Sequence, residues 1–252
     1  MSYAEITFRD KNPVKRWLQR RRLVSAIKFA YCSHPLPEVV CDFGAGNGEL
    51  IKTLADRYPH AKLICYEPTL SLLEEARENL MAIPNVDFIV DVRRIEVAAV
   101  DVVFCLEVFE HLPPEETIDA LQRIRAMLRP EGVVIVGVPV EIGIPAFYKG
   151  LFRASRRYGA FDASVKHIVQ AILGHPPRNR PMGEIAPGLR FHHEHMGFDY
   201  RCFEGVLRSH FKLTGMFASP FVVLGPKLMP EVYFVAERSL DPMFQRAASG
   251  SI

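Results

Sequence analysis

Apolar residues in this chain are arranged in two ways: short unbroken runs, and stretches in which they recur every three or four positions. The runs at 39–43, 61–66, 86–90, 100–106 and 133–138 read as buried strands. Between them, Leu50, Ile51, Leu54, Ala55 and Tyr58, then Leu70, Leu73, Ala76 and Leu80, then Ile118, Leu121, Ile124 and Leu128 mark the inner faces of helices. Pro59 and Pro84 stop the first two helices, and Leu128 to Gly132 forms a turn. Ahead of the first strand, Pro13 opens an amphipathic helix on which Val14, Trp17, Leu18, Val24, Ile27 and Tyr31 share one side, with Arg21 turned inward among them. Regular βα alternation predicts an α/β fold, a parallel sheet covered by helices on both faces.

The alternation stops at Pro139. From 140 to 199 the pattern predicts no core strand, only helices near 144–157 and 160–173 and then a loop rich in Pro, Gly and Arg from 174 to 188. An insertion after the fifth strand sits at the carboxyl edge of the sheet, above the crevice where such folds bind ligands, so it reads as a helical lid. Phe203, Val206, Leu207 and His210 mark one more helix, and 212–218 and 231–237 two last strands. The chain therefore reads as one domain: a leading helix at 10–34, a ligand-binding core at 35–140, the lid at 141–199, a helix and strand pair at 200–238, and a small, polar tail at 239–252 expected to be disordered.

Composition narrows the picture. Forty-nine per cent apolar residues in 252 support a sizeable core, and no run reaches the ~18 residues of a membrane span. With no apolar leader at the start, the expected address is cytoplasmic. Five cysteines without a C-x-x-C spacing read as reduced, with neither a disulfide nor a thiolate zinc site expected. The net charge of +2 conceals two basic regions. One is the front end, with Lys11, Lys15, Arg16, Arg20, Arg21, Arg22 and Lys28, which offers peripheral contact with the inner membrane surface; the other is the lid, with Lys149, Arg153, Arg156, Arg157, Lys166, Arg178, Arg180 and Arg190, which favours an anionic acceptor.

The densest chemistry lies at Asp42-Phe43-Gly44-Ala45-Gly46-Asn47-Gly48. Three glycines at alternate positions let the backbone take positive φ and approach a ligand, while the helix that follows aims free N–H groups at it. Glu49 stands where a dinucleotide turn needs a small residue, so a dinucleotide is disfavoured. Asp42 suits a ligand carrying an ammonium or sulfonium. Glu67, nineteen residues beyond Gly48 at the tip of the second strand, is placed to accept ribose hydroxyls.

This D-x-G-x-G-x-G turn resembles motif I of the class I S-adenosylmethionine-dependent methyltransferases, and Glu107-Val108-Phe109-Glu110-His111-Leu112-Pro113 resembles the segment after strand four in that family. The resemblance covers 39–140 well and 200–237 by topology. It implies a doubly wound, mainly parallel seven-stranded sheet whose last two strands are antiparallel. It also implies S-adenosyl-L-methionine as cofactor, leaving as S-adenosyl-L-homocysteine, held by Asp42, Gly44, Ala45, Gly46, Asn47, Gly48, Glu67, Pro68, Asp91, Val92, Leu106 and Glu107. The reaction it implies is O-methylation of a small-molecule, sugar or lipid intermediate. Candidate proton handlers are His111, Glu110 and His193, the last drawn from the His192, His193 and His195 cluster; no resident metal is assigned.

Two other readings stay open. In the small-RNA 2′-O-methyltransferases an E-x-x-E-H segment and a distant histidine hold a divalent metal, which Glu107, Glu110, His111 and one of His192, His193 or His195 would imitate; no RNA-binding module accompanies them here. The other reading is a non-catalytic cofactor-binding or scaffold protein with the same fold. Glu67→Ala separates a pure scaffold from the enzyme, since it should weaken cofactor binding in the enzyme and leave a pure scaffold's partner binding unchanged.

Overall fold

A computed structural model describes residues 13–157, 159–186 and 188–238; the expected disordered tail lies outside the described residues. Seven strands form the central sheet: β1 (Val39–Phe43), β2 (Lys62–Tyr66), β3 (Val86–Ile89), β4 (Val100–Leu106), β5 (Leu128–Pro139), and the last two, β8 (Lys212–Ser219) and β9 (Glu231–Glu237). Their order is β3-β2-β1-β4-β5-β9-β8, with β1 to β5 parallel and β9 antiparallel to both neighbours. Sequence order reverses between β1 and β4, and that is where a ligand crevice opens in this topology.

Strand residues divide alternately between two cores. Val40, Leu63, Cys65, Val102 and Phe104 pack beneath α1 (Pro13–Ser33), α2 (Glu49–Arg57) and α3 (Leu70–Asn79). Cys41, Ile64, Val103 and Cys105 pack beneath α4 (Pro114–Met127) and α7 (Tyr200–Arg208). Both faces are buried, so the strands carry continuous apolar runs rather than alternating ones. Among the described residues no helix is long and apolar enough to cross a membrane.

Three expectations need correction. Strand β5 starts at Leu128, because the predicted turn at 128–132 is extended and pairs with Val100. The stretch from 174 to 188 is not all loop: between α5 (Ile144–Arg157), α6 (Val165–Ile172) and α7 lies a hairpin of β6 (Gly183–Ala186) and β7 (Leu189–Phe191). Its strands are too short and too polar to read as core.

Helix α1 is rotated from its expected phase. Ala26, Ile27, Phe29 and Ala30 are buried, while Trp17, Val24 and Tyr31 are exposed. Arg21 consequently lies outside, its guanidinium 5.6 Å from the Trp17 ring, and Arg22 is the arginine that turns inward.

Candidate active site

Strand β1 delivers Asp42 to the carboxyl edge of the sheet and the chain then turns through Gly44, Gly46 and Gly48, at φ of 81°, 54° and 82°. Gly44 is required twice over. Its φ is left-handed, and a Cβ there would lie 2.5 Å from Cγ2 of Val108. The turn is braced by Glu67, whose carboxylate accepts from Gly46 N and Thr69 N, each at 2.9 Å. A carboxylate has about four acceptor positions, so two such bonds leave capacity for a ligand hydroxyl.

Asp42 is buried, and no cation among the described residues pairs with it. Burial first, then the charge of Glu67, pushes its carboxyl up to about 8. A buried acid facing a second acid is a poor arrangement in isolation and a good one around a cationic ligand. Two cavities meet at this turn. One of about 310 Å³ is lined by Asp42, Ala45, Asn47 and Leu106. A larger one of about 800 Å³ extends over Glu67, Pro68 and Val92 to the β6–β7 hairpin, and Gly44, Gly46, Glu107, His111 and His195 border both. Asp91 is elsewhere: Arg93 grips its carboxylate at 2.7–3.1 Å, and Val92 alone of that pair faces the cavity.

Past β4 the backbone is forced. Glu107 adopts φ 58°, a left-handed conformation that costs a non-glycine residue roughly 1–3 kcal/mol. Its carboxylate meets Arg22 at 3.1 Å, and Arg22 also binds Glu231. Burial lifts Glu107 to about 7, with Arg22 pulling the other way. For Arg22 itself, burial opposes its charge but Glu107 and Glu231 outweigh that, and it stays cationic.

Glu110 is fully buried with neither carboxylate oxygen hydrogen-bonded, and burial followed by Glu107 raises its pKa well above the usual range. His111 stacks on Phe191 at 4.4 Å and binds the His192 carbonyl through Nδ1 at 2.6 Å. A carbonyl only accepts, so Nδ1 carries the hydrogen and Nε2 presents its lone pair. That Nε2 lies 3.2 Å from Nε2 of His195, and the two are 3.8 and 3.9 Å from Oε1 of Glu110. The three residues could hold a divalent cation, their ligand atoms lying within 4.8 Å of one another. Burial drives His111 down to about 4 and His195 well below its ordinary value, so both rings are neutral near pH 7.

His193, expected to join this group, is exposed and packs edge-on to Phe191; the chain places His195 there instead. Five of the eight basic residues named above for 141–199 are already engaged within the protein. Lys149 and Arg153 hold Glu141, Arg157 holds Asp162, Arg190 holds Glu115 and Glu116, and Arg180 donates to the carbonyls of Glu110 and Glu194 at 2.6 and 2.5 Å. Sequence patterning gave no role in the site to Arg22 or Phe191, named His195 only as one of three equivalent histidines, and named Arg190 only as part of a basic region. For Arg22 a signal existed, since it lies one helical turn before Ala26 and two before Ala30.

Residues 40–132 match the family model described as a methyltransferase domain. The chain is 29% identical over 141 residues to trans-aconitate 2-methyltransferase of Afipia carboxidovorans, covering 54% of this chain and 52% of that one. It is 32% identical over 132 residues to malonyl-[acyl-carrier protein] O-methyltransferase of Xylella fastidiosa, covering 50% and 42%. The chain thus spans about half the length of these curated relatives. Its fold is similar to 1,6-didemethyltoxoflavin-N1-methyltransferase of Burkholderia thailandensis, crystallised with bound 1,6-didemethyltoxoflavin and S-adenosylhomocysteine, at a TM-score of 0.56 and 15% identity over 93% of this chain and 84% of that one.

Proposed function

From a chain that carries a class I, Rossmann-like methyltransferase domain, we infer S-adenosyl-L-methionine-dependent O-methylation of a small, anionic acceptor. The observation that carries this reading is the buried, cation-free carboxyl of Asp42 on the floor of a three-glycine turn, opening onto the same 310 Å³ cavity as two neutral imidazoles. Asp42 and the turn would hold the charged methionine end of the cofactor, Glu67 its ribose, and Val92 its adenine. When bound, the cofactor supplies a methyl group already activated by its sulfonium.

The chain's own residues then have two tasks. The first is alignment of the acceptor, which an in-line displacement demands above all. The wall formed by Leu112, Leu189 and Phe191 confines it, and the Arg190 latch onto Glu115 and Glu116 keeps that wall in place. The second is removal of a proton. His111 Nε2, held by the Nδ1 bond to His192, is oriented to take one from an acceptor hydroxyl, and neutral His195 sits beside it. An acceptor carboxylate would need alignment alone. The two curated relatives are named for trans-aconitate and malonyl-[acyl-carrier protein], both carboxylate-bearing, which supports an acid as acceptor.

Titration with S-adenosylhomocysteine followed by calorimetry is the test. Micromolar binding, lost in Glu67→Ala, and transfer of labelled methyl to a dicarboxylic or hydroxy acid are expected. Absence of binding overturns the reading and would leave the scaffold alternative.

One observation favours the metal-dependent alternative: the convergence of Glu110, His111 and His195. Against it, Glu107 is turned to Arg22 and does not join them. Transfer that stops on chelation and resumes with a divalent ion would select it.

A further inference from the structure

Helix α5 is built inside out. Toward the protein it presents Ala146, Gly150 and two cationic side chains, Lys149 and Arg153, both bound to the fully buried carboxylate of Glu141 at 3.0 and 2.7 Å. Toward solvent it presents Ile144, Phe147, Tyr148, Leu151 and Phe152, each 37–63% exposed. The first four fall at i, i+3, i+4 and i+7, one continuous stripe. A helix that served only the fold would bury that stripe. Here the helix is seated by backbone approach instead, since a Cβ on Gly150 would come within 2.7 Å of Ile168.

The stripe does not end with the helix. The Tyr148 hydroxyl donates to the carbonyl of Leu228 and Lys149 donates to that of Pro230, so α5 and the segment 220–230 form one surface. That segment exposes Phe221 and, at 94%, Val223, and the Phe221 ring lies 6.4 Å from Trp17 on α1. Contiguous exposed apolar surface of this extent, on three elements at once, marks a contact surface.

Charge identifies the partner. The three contributing segments, 13–33, 144–157 and 220–230, contain no aspartate or glutamate, and Arg20, Arg21, Arg156 and Lys227 stand exposed among the apolar side chains. A second copy seated here across a two-fold axis would set this cationic surface against itself. An apolar stripe rimmed by cations, with Trp and Tyr at its border, is instead the composition that settles into the headgroup boundary of an anionic bilayer. We propose that the face formed by α5, residues 220–230 and the exposed side of α1 docks on an anionic lipid surface. This differs from contact through the basic front end alone, because the apolar anchor lies on α5. Docking needs no turnover, so its test is independent of methyl transfer.

Sedimentation with lipid vesicles provides that test, using phosphatidylcholine alone and phosphatidylcholine containing about a third phosphatidylglycerol. At least ~10-fold stronger partition onto the anionic vesicles is expected, falling to the neutral-vesicle level in Leu151→Asp/Val223→Asp with an unchanged circular dichroism spectrum. Should that variant misfold, Arg20→Glu/Lys227→Glu alters only exposed charges and must abolish the anionic preference. Equal partition onto both vesicles, undiminished binding by a folded variant, or a vesicle-free dimer that Leu151→Asp dissociates would each overturn the proposal.

Discussion

The Nε2 atoms of His111 and His195, from segments far apart in the chain, lie 3.2 Å from one another at the junction of the two cavities. His111 owes its orientation to its Nδ1 bond and to Phe191 stacked on its ring. Replacing it with alanine is expected to lower kcat on a hydroxyl acceptor by about 10²–10⁴-fold while leaving S-adenosylhomocysteine affinity unchanged, measured by steady-state kinetics beside calorimetry. On a carboxylate acceptor the same variant should lose far less, which separates a base from a positioning role.

The depressed pKa of His111 predicts the acid limb of the rate profile. Burial holds the folded value near 4, so the ring remains a base down to about pH 5, where an ordinary histidine would already be protonated. In linkage terms a depressed value means that stability is fully present above the unfolded pKa of about 6.5 and declines as pH falls toward 4. A kcat/KM profile that drops already at pH 6.5 would assign the base elsewhere.

Asp42 predicts a dependence of the same sign, displaced to higher pH, for cofactor affinity. Its carboxyl, lifted to about 8, binds a cation better once ionised, so affinity for S-adenosylmethionine should rise between pH 6 and 8, by at most about tenfold per pH unit, with release of a proton. Calorimetry in buffers of different ionisation enthalpy measures that proton. Asp42→Asn should flatten the dependence.

Arg22 predicts a stability effect at the site. Removing its guanidinium in Arg22→Met strands Glu107 and Glu231, both largely enclosed, at a cost of about 3 kcal/mol by urea unfolding. Adding Glu231→Gln should recover part of that loss, since a double-mutant cycle measures their coupling.

Gly44 and Gly143 form a matched comparison. Both have left-handed φ, but a Cβ on Gly44 meets Val108 at 2.5 Å whereas Gly143 has nothing within 4 Å. Gly143→Ala should cost about 1 kcal/mol for its φ alone, and Gly44→Ala several-fold more, with loss of S-adenosylhomocysteine binding.

The sheet and its glycine turn were legible because their signals are local. Five apolar runs at the period of a βα repeat, and three glycines where Val108 and Leu80 leave no room at Gly44 and Gly48, state their own purpose. What was illegible depended on partners distant in sequence. Three consecutive arginines at 20–22 leave the helix phase undetermined until Glu107 and Glu231 select the third. In the same way three histidines within 192–195 are equivalent until the β6–β7 hairpin turns His193 out and His195 in. The inverted face of α5 was hidden because its pattern is that of any amphipathic helix, and only the buried Glu141 reveals which side is inward.

Arg180 ties the segment after β4 to the histidine segment through two main-chain carbonyls rather than through side chains. The hydrogen bonds of this clasp do not use the side chains at 110 and 194, although the Glu110 and Glu194 carboxylates favour the guanidinium's charge against the burial that pulls its pKa down to about 10. The register of the two halves of the site therefore rests on main-chain atoms, so a substitution at 110 changes the charge beside the clasp without removing either of its hydrogen bonds.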